Sequence, residues 1–251
     1  MIRAVVFDVG GTMHTSREDA LLQQSFSARA LKLLSDGEIQ LGVSPDEFYG
    51  TLRRTAEEYK AWSEESGREL PSGEIWGEYF LRPYKPDRAL LDPLAEELSF
   101  LYDDARSRIV PRPNLERTVA AICGMGLKTG VISNIISLNY VPAVLERYGI
   151  ARYMSCVVLS SVAGIRKPWP GIFRIAEGEL GLAPEELAYV GDTLSRDVIG
   201  ARNAGWRLMI QISNPSIAFR DRKVQNSGYK PDFLISGLEE IPGIIARENG
   251  V

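Results

Sequence analysis

Past Arg108 the chain repeats one pattern. A short run of β-branched and aliphatic residues is followed by a turn, and then by a longer stretch with helical periodicity. The apolar runs cover 127–133, 155–159, 187–190, 207–212 and, more briefly, 233–235. Helical periodicity covers 115–125, 140–148, 169–180 and 197–204 between them. Unbroken apolar runs of this length fit strands buried on both faces, and their alternation with helices predicts βαβ units around a parallel sheet. One more such run, 2–7, stands alone at the N-terminus and ends at Asp8 and the turn Gly10-Gly11-Thr12. The expected fold class is α/β: a doubly wound, Rossmann-like parallel sheet.

The stretch between these two parts has a different character. From Ser16 to about Arg108 there is almost no strand signal. Ser16 with Asp19 resembles an N-cap, opening a helix through Leu34 that ends at Asp36-Gly37. Ser44-Pro45-Asp46-Glu47 places a cap, a proline at N1 and an acid at N3, and starts a helix to about Glu65 that stops near Gly67. Two further helices are expected over 73–81 and 88–106. The organisation read from this is an α/β core domain of residues 1–14 and 109–251, interrupted by a helical cap domain of residues 15–108. The 251 residues suffice for a core with such an insertion.

Composition narrows the function classes. Lys+Arg 29 against Asp+Glu 33 gives a net charge of −4, which supplies no basic field for general nucleic-acid binding. No stretch approaches the roughly 18–20 apolar residues of a membrane span. Asp8 interrupts the first apolar run before a signal-peptide core forms. The two cysteines, Cys123 and Cys156, read as reduced thiols. With one histidine, His14, they exclude a His/Cys zinc site of ordinary composition. The expectation is a cytoplasmic protein with a small-molecule partner, without nucleic acid or membrane, either monomeric or homodimeric.

In open parallel sheets ligands bind beyond the carboxyl ends of the strands, near the point where strand order reverses. The residues at those ends are Asp8 with Gly10, Gly11 and Thr12; Ser133-Asn134; and Gly191-Asp192-Thr193, with Asp197 five residues beyond Asp192. Lys167-Pro168 follows the third run after a short loop. Each is an ordinary turn or cap residue by itself, but four such groups at consecutive strand ends are not. Asp8 and Asp192 offer hard oxygen ligands for Mg²⁺. The glycine turns bring backbone N–H groups close to an anion. Lys167 and the Ser133 hydroxyl suit a phosphoryl group, and an aspartate left free to attack can form a covalent intermediate.

FDVGGT (7–12), ISN (132–134), RKPWPGIF (166–173) and YVGDTLSRD (189–197), in this order, resemble the four motifs of the haloacid dehalogenase-like hydrolases. The resemblance covers the α/β part almost end to end. The helical stretch lies where members with a helical, C1-type cap insert it. The resemblance implies that Asp8 is the nucleophile forming an aspartyl-phosphate and that Lys167 stabilises it and the transferring group. It also implies that Ser133, with Gly11, Thr12 and Asn134, binds phosphoryl oxygens. Asp8, Asp192 and the backbone carbonyl of Gly10 correspond to the Mg²⁺ ligands, and Asp197 to the acid that supports them.

The sequence departs from the family's phosphatases at Gly10, where those enzymes carry a second aspartate as general acid and base. General acid–base catalysis contributes roughly 10²–10⁴-fold. The reading is therefore Mg²⁺-dependent, phosphatase-type hydrolysis of a small phosphorylated metabolite by a site without its usual proton shuttle. Two alternatives stand beside it. One is a weakly active or non-catalytic phosphate-binding protein. The other is a metal-independent 2-haloacid dehalogenase, against which Gly191-Asp192-Thr193 speaks as the metal-binding form of motif four. His14, just after the loop, is a candidate replacement acid, although a local hinge role is the plainer reading. Trp76, Tyr79 and Phe80, with Tyr59 and Trp62, are expected as helix packing rather than a substrate platform. Arg53-Arg54 is expected as a solvated helix face.

Overall fold

The computed structural model describes residues 1–250. Eight strands are present: β1 Ala4–Phe7, β2 His14–Glu18, β3 Ser107–Pro111, β4 Lys128–Ser133, β5 Met154–Leu159, β6 Leu187–Gly191, β7 Leu208–Ile212 and β8 Phe233–Ile235. Six form one sheet in the order β5-β4-β1-β6-β7-β8, and every pairing is parallel. The alternation of strand and helix thus gives the expected Rossmann-like α/β fold. Val5 and Phe7 of β1 pack into the cluster on one sheet face, and Ala4 and Val6 into the cluster on the other. That two-sided burial explains why β1 reads as an unbroken apolar run.

β1 lies at the switch point. From it the chain runs outward to β4 and β5, then returns to β6 on the opposite side. Phe7 is level with Val131 of β4 and with Val190 of β6, so the residues after these strands leave the sheet at one edge. Asp8, Ser133 and Asp192 are those residues or their neighbours.

Between Asp19 and Arg106 the chain forms a helical layer with its own apolar cluster, in which Phe26, Phe48, Trp76, Phe80 and Leu98 are buried. Helix Pro45–Ser66 starts as its sequence predicts. The Ser44 hydroxyl accepts from the Glu47 amide, the Glu47 carboxylate accepts from the Ser44 amide, and Gly67 ends the helix at φ +69°. Trp76 is buried with its indole N–H donated to Ser99 at 2.9 Å. Tyr59 stacks on Trp62 with centroids 5.9 Å apart. Trp76 is core packing, Tyr59 and Phe80 pack here and also line the cavity at the sheet edge, and Arg53 and Arg54 are exposed.

Several local expectations are corrected. Ser16 is no N-cap: it lies in β2, which pairs antiparallel with β3, and Asp19 caps helix Ala20–Asp36 by accepting from the Leu21 and Leu22 amides. This ribbon joins the two parts of the chain, so the proposed division at 14/15 and 108/109 runs through it. β2 carries polar residues, half-exposed or exposed beyond His14, and β3 only the short apolar run Ile109-Val110-Pro111, too little to read as a strand. The 73–81 helix is one α-turn, Ser72–Glu74, followed by a wider π-helical stretch, Ile75–Phe80. The 88–106 helix is split into Arg88–Leu91 and Ala95–Ala105 by the tighter turn Asp92–Leu94, where Pro93 lacks an N–H for the helical ladder. The helix expected from Asp197 begins earlier, with a wide turn over Leu194–Val198. A C-terminal helix, Ile241–Asn249, was not anticipated.

The helical layer also touches the sheet side away from the ribbon. The Glu69 amide donates to the Gly164 carbonyl at 3.0 Å, and the Arg166 amide donates to the Gly67 carbonyl at 2.9 Å. The buried Glu69 carboxylate accepts from the Arg166 guanidinium, the Tyr59 hydroxyl and the Ser160 hydroxyl. Arg166 immediately precedes Lys167.

Candidate active site

Asp8 follows β1 and is held there by its amide, which donates to the Val190 carbonyl at 2.8 Å. Its carboxylate accepts from Lys167 Nζ at 2.7 Å on one oxygen and from the Thr12 hydroxyl at 3.1 Å on the other. Lys167 Nζ also donates to Asp197 at 2.7 Å and to the Tyr189 hydroxyl at 2.8 Å, so all three donor positions are used. Asp197 accepts from both the amide and the hydroxyl of Thr193, which fixes the turn after Asp192. Tyr189 is a site residue that the sequence reading missed. It sits on β6 within the apolar run YVG, where an aromatic reads as core.

Asp8, Asp192 and Asp197 are buried and offer carboxylate oxygens that lie within 4.8 Å of one another. Three carboxylates thus face one ammonium group. Burial, the nearby charge of Asp8 and that of Asp197 raise the Asp192 carboxyl to about 7. Burial also raises Asp8, against the pull of Lys167. Asp197 is different: burial opposes its charge, but Lys167, Arg196 and the hydrogen bonds hold its carboxyl below the ordinary range. One Asp192 oxygen accepts from the Asn214 amide at 2.7 Å. The other, Oδ1, is buried and has no hydrogen-bond partner.

The two turn glycines differ. Gly11 has φ +95°, and a Cβ there would lie 1.7 Å from a carboxylate oxygen of Asp192, so only glycine fits. Its carbonyl accepts two bonds from the Arg112 guanidinium, at 2.7 and 3.1 Å, which tie the turn to the strand returning from the helical layer. A Cβ at Gly10 would meet nothing within 4 Å. Glycine at position 10 is therefore not a steric requirement.

Ser133 is buried at the end of β4 and lines the cavity above Asp8. Asn134 spans the backbone of Lys167: its carbonyl oxygen accepts from the Lys167 amide at 2.9 Å, and its NH₂ donates to the Lys167 carbonyl at 3.0 Å. That arrangement orients the lysine. His14 is buried, hydrogen-bonded through Nδ1 to the Tyr148 hydroxyl at 3.0 Å, and pushed down to about 4 by burial and Arg147. It is neutral at physiological pH. The cavity measures about 580 Å³ and lies between the sheet edge and the helical layer, which contributes Ala56, Tyr59, Lys60 and Ser63 from one helix face.

A parallel sheet that gathers a buried aspartate, a lysine and a second pair of acids at its switch point has the arrangement of an α/β hydrolase. The chain belongs to the haloacid dehalogenase-like hydrolases: the model of that family matches residues 2–205. A glyceraldehyde 3-phosphate phosphatase of Methanopyrus kandleri is 28% identical over 249 residues, covering 98% of this chain and 97% of that protein. The crystal structure of a HAD phosphatase from Thermococcus onnurineus is 26% identical with a TM-score of 0.63, over 97% of this chain and 98% of that one. A 2-haloacid dehalogenase from Pseudomonas syringae shares the fold, with a TM-score of 0.66 and 24% identity over 99% of this chain and 100% of that one. Among the described residues no helix is long and apolar enough to cross a membrane.

Proposed function

We propose that this chain is a Mg²⁺-dependent phosphohydrolase acting on a small phosphorylated metabolite through an aspartyl-phosphate on Asp8. The observation that carries this reading is the buried oxygen cluster at the switch point, with Asp192 Oδ1 left without a partner. Unpaired buried carboxylates are costly, and hard oxygen donors in this number suit a small divalent cation. Asp8, Asp192 and the Gly10 carbonyl would hold it, with Asp197 in support through Lys167 and Thr193. When bound, the ion would neutralise phosphoryl charge. The phosphatase names of full-length relatives support the substrate class. In this reading the helical layer, residues 15–108, serves as a cap domain over the site.

In the first step an Asp8 oxygen attacks phosphorus, the P–O bond to the leaving group breaks, and Lys167 balances charge on the nucleophile and the transferring group. The Ser133 hydroxyl and the amides of the Gly10-Gly11 turn receive phosphoryl oxygens. Thr12 holds Asp8 in place, and Asn134 does the same for Lys167. In the second step water attacks phosphorus, the P–O bond to Asp8 breaks, and inorganic phosphate leaves while the water proton passes to solvent, returning the Asp8 carboxylate. No carboxylate stands at position 10 to protonate the leaving group or to activate that water. His14, with its pKa near 4, cannot supply a proton at neutral pH. The site therefore suits leaving groups that depart without protonation, such as acyl or aryl phosphates.

The test is hydrolysis of an aryl phosphate with and without Mg²⁺, by wild type and Gly10→Asp in parallel. The open space at position 10 admits the side chain. Restoring the acid should raise turnover of an alkyl phosphate by roughly 10²–10⁴-fold. Inactivity of both proteins on every ester, or activity that persists in EDTA, sinks the reading.

A further inference from the structure

The cavity above Asp8 contains arginines that the chemistry just described does not use. Arg166 is accounted for by Glu69, and Arg106 lies over the Tyr102 ring, 4.2 Å from its centroid. Arg196 and Arg220 line the same cavity, yet among the described residues neither makes an ion pair or a side-chain hydrogen bond. The Nε of Arg220 is buried without a partner. Arg196 lies on the wide turn after β6, and Arg220 on the turn Pro215–Asp221 after β7.

These two turns are fastened together. The carboxylate of Asp221 accepts from the Leu194 amide at 2.8 Å and from the Ser195 amide at 2.9 Å. The acid beside Arg220 is thus spent on the backbone beside Arg196, which ties the two turns together; Arg196 feels the charge of Asp197, Asp192 and Asp8, but among the described residues no carboxylate hydrogen-bonds to either guanidinium. Their like charges oppose each other, and burial together with Arg196 holds Arg220 below the ordinary arginine range. Glu64 of the helical layer lines the cavity on the facing side and forms no ion pair with either. Two guanidinium groups that line the cavity with their N–H donors unspent, beside a reaction centre, make an anion receptor. The transferring phosphoryl already has Lys167, Ser133 and the glycine turn around Asp8, so the receptor is available for another group.

We propose that Arg196 and Arg220 bind a second anionic group of the substrate, so that this site takes phosphate monoesters whose far end carries a carboxylate or a second phosphate. This rests on the phosphohydrolase reading of the site. A neutral aldehyde or hydroxyl end leaves the two arginines unpaired, and such esters are the poorer substrates.

The experiment compares kcat/KM for three aryl phosphates, the leaving group this site suits, with side arms of equal length ending in a carboxylate, a second phosphate and a hydroxyl. Wild type should favour one anionic ending over the hydroxyl by tenfold or more, and the favoured ending identifies the natural group. Arg220→Gln and Arg196→Gln should each reduce that preference by about 10- to 100-fold, the scale of a lost charge-assisted hydrogen bond, whereas Arg220→Lys should retain more of it. Equal losses on all three esters, or a wild type that favours the hydroxyl ending, would overturn the assignment. Calorimetric binding of a carboxylate-bearing phosphonate to wild type and Arg220→Gln separates the two readings. Arg220-dependent binding without turnover of any ester keeps the receptor and removes the hydrolase reading. Turnover whose preference ignores both arginines does the reverse.

Discussion

The sheet edge and the helical layer treat buried polar groups in opposite ways. Around the aromatic core of the helical layer they are satisfied locally: Trp76 donates to Ser99, the Thr55 hydroxyl to the Phe80 carbonyl, and Tyr59 to Glu69, while the unpartnered Glu96 Oε2 and Arg106 Nε lie where the layer meets the sheet domain. At the sheet edge Asp8, Asp192 and Asp197 crowd around one lysine, and Asp192 keeps an oxygen with no partner. The first region is arranged for stability. The second carries charge that the fold alone does not neutralise, as expected where a ligand completes the electrostatics.

Substitutions in the two regions should therefore separate activity from stability. The largest effect is expected from Asp8→Asn, which removes the proposed nucleophile and should lower aryl phosphate turnover by about 10³-fold or more without lowering the melting temperature. Next comes Trp76→Ala, which empties a fully buried site in the helical layer. It should cost about 3–5 kcal/mol in urea unfolding. If Trp76→Ala instead slowed turnover and left stability intact, the contrast between the regions would break.

Smaller is the effect of Asp192→Asn on the metal-free protein, which should become more stable at pH 8 by about 1 kcal/mol or more, because a crowded buried charge is removed. The direction with pH follows from the raised carboxyl. Between the unfolded value of 3.8 and the folded value of about 7, the folded protein keeps a proton that the unfolded chain has lost. Stability contributed by that proton is present below pH 4 and lost as pH rises towards 7. Denaturation midpoints across pH 4–8 should show this decline in metal-free wild type and lack it in Asp192→Asn. Added Mg²⁺ should raise the melting temperature more at pH 8 than at pH 5, because the proton competes for the same oxygens. Smallest of all, Arg53→Ala on the exposed helix face should move stability by no more than about 0.5 kcal/mol.

The same contrast explains what could be read from the sequence. β1, β4, β5, β6 and β7 are apolar runs whose last residues are fixed in space by the parallel topology, so Asp8, Ser133 and Asp192 could be placed on one edge before any coordinates. Lys167 was legible from its motif, although its three-way bonding was not. Tyr189 was hidden because an aromatic inside a strand gives no sign that its hydroxyl meets Lys167. The ribbon of β2 and β3 was hidden because pairing across 89 residues leaves no local pattern in polar strands. Arg196 and Arg220 come together only through the Asp221 bridge, a contact that no spacing rule anticipates.

The strap between Gly67–Glu69 and Gly164–Arg166 gives the helical layer a second anchorage, apart from the ribbon. A third anchorage lies on helix Ala95–Ala105, whose Glu96 carboxylate accepts from Ser137, Leu138 and Asn139 and whose Asp104 pairs with Arg147 at 2.9 Å. A layer tied down at three separate elements has no free swing, so widening the cavity mouth costs at least one of these sets of contacts. The Glu69–Arg166 pair is the most deeply buried of them, whereas Arg147–Asp104 is half-exposed, so the ribbon-distal strap is the last of the three to give way.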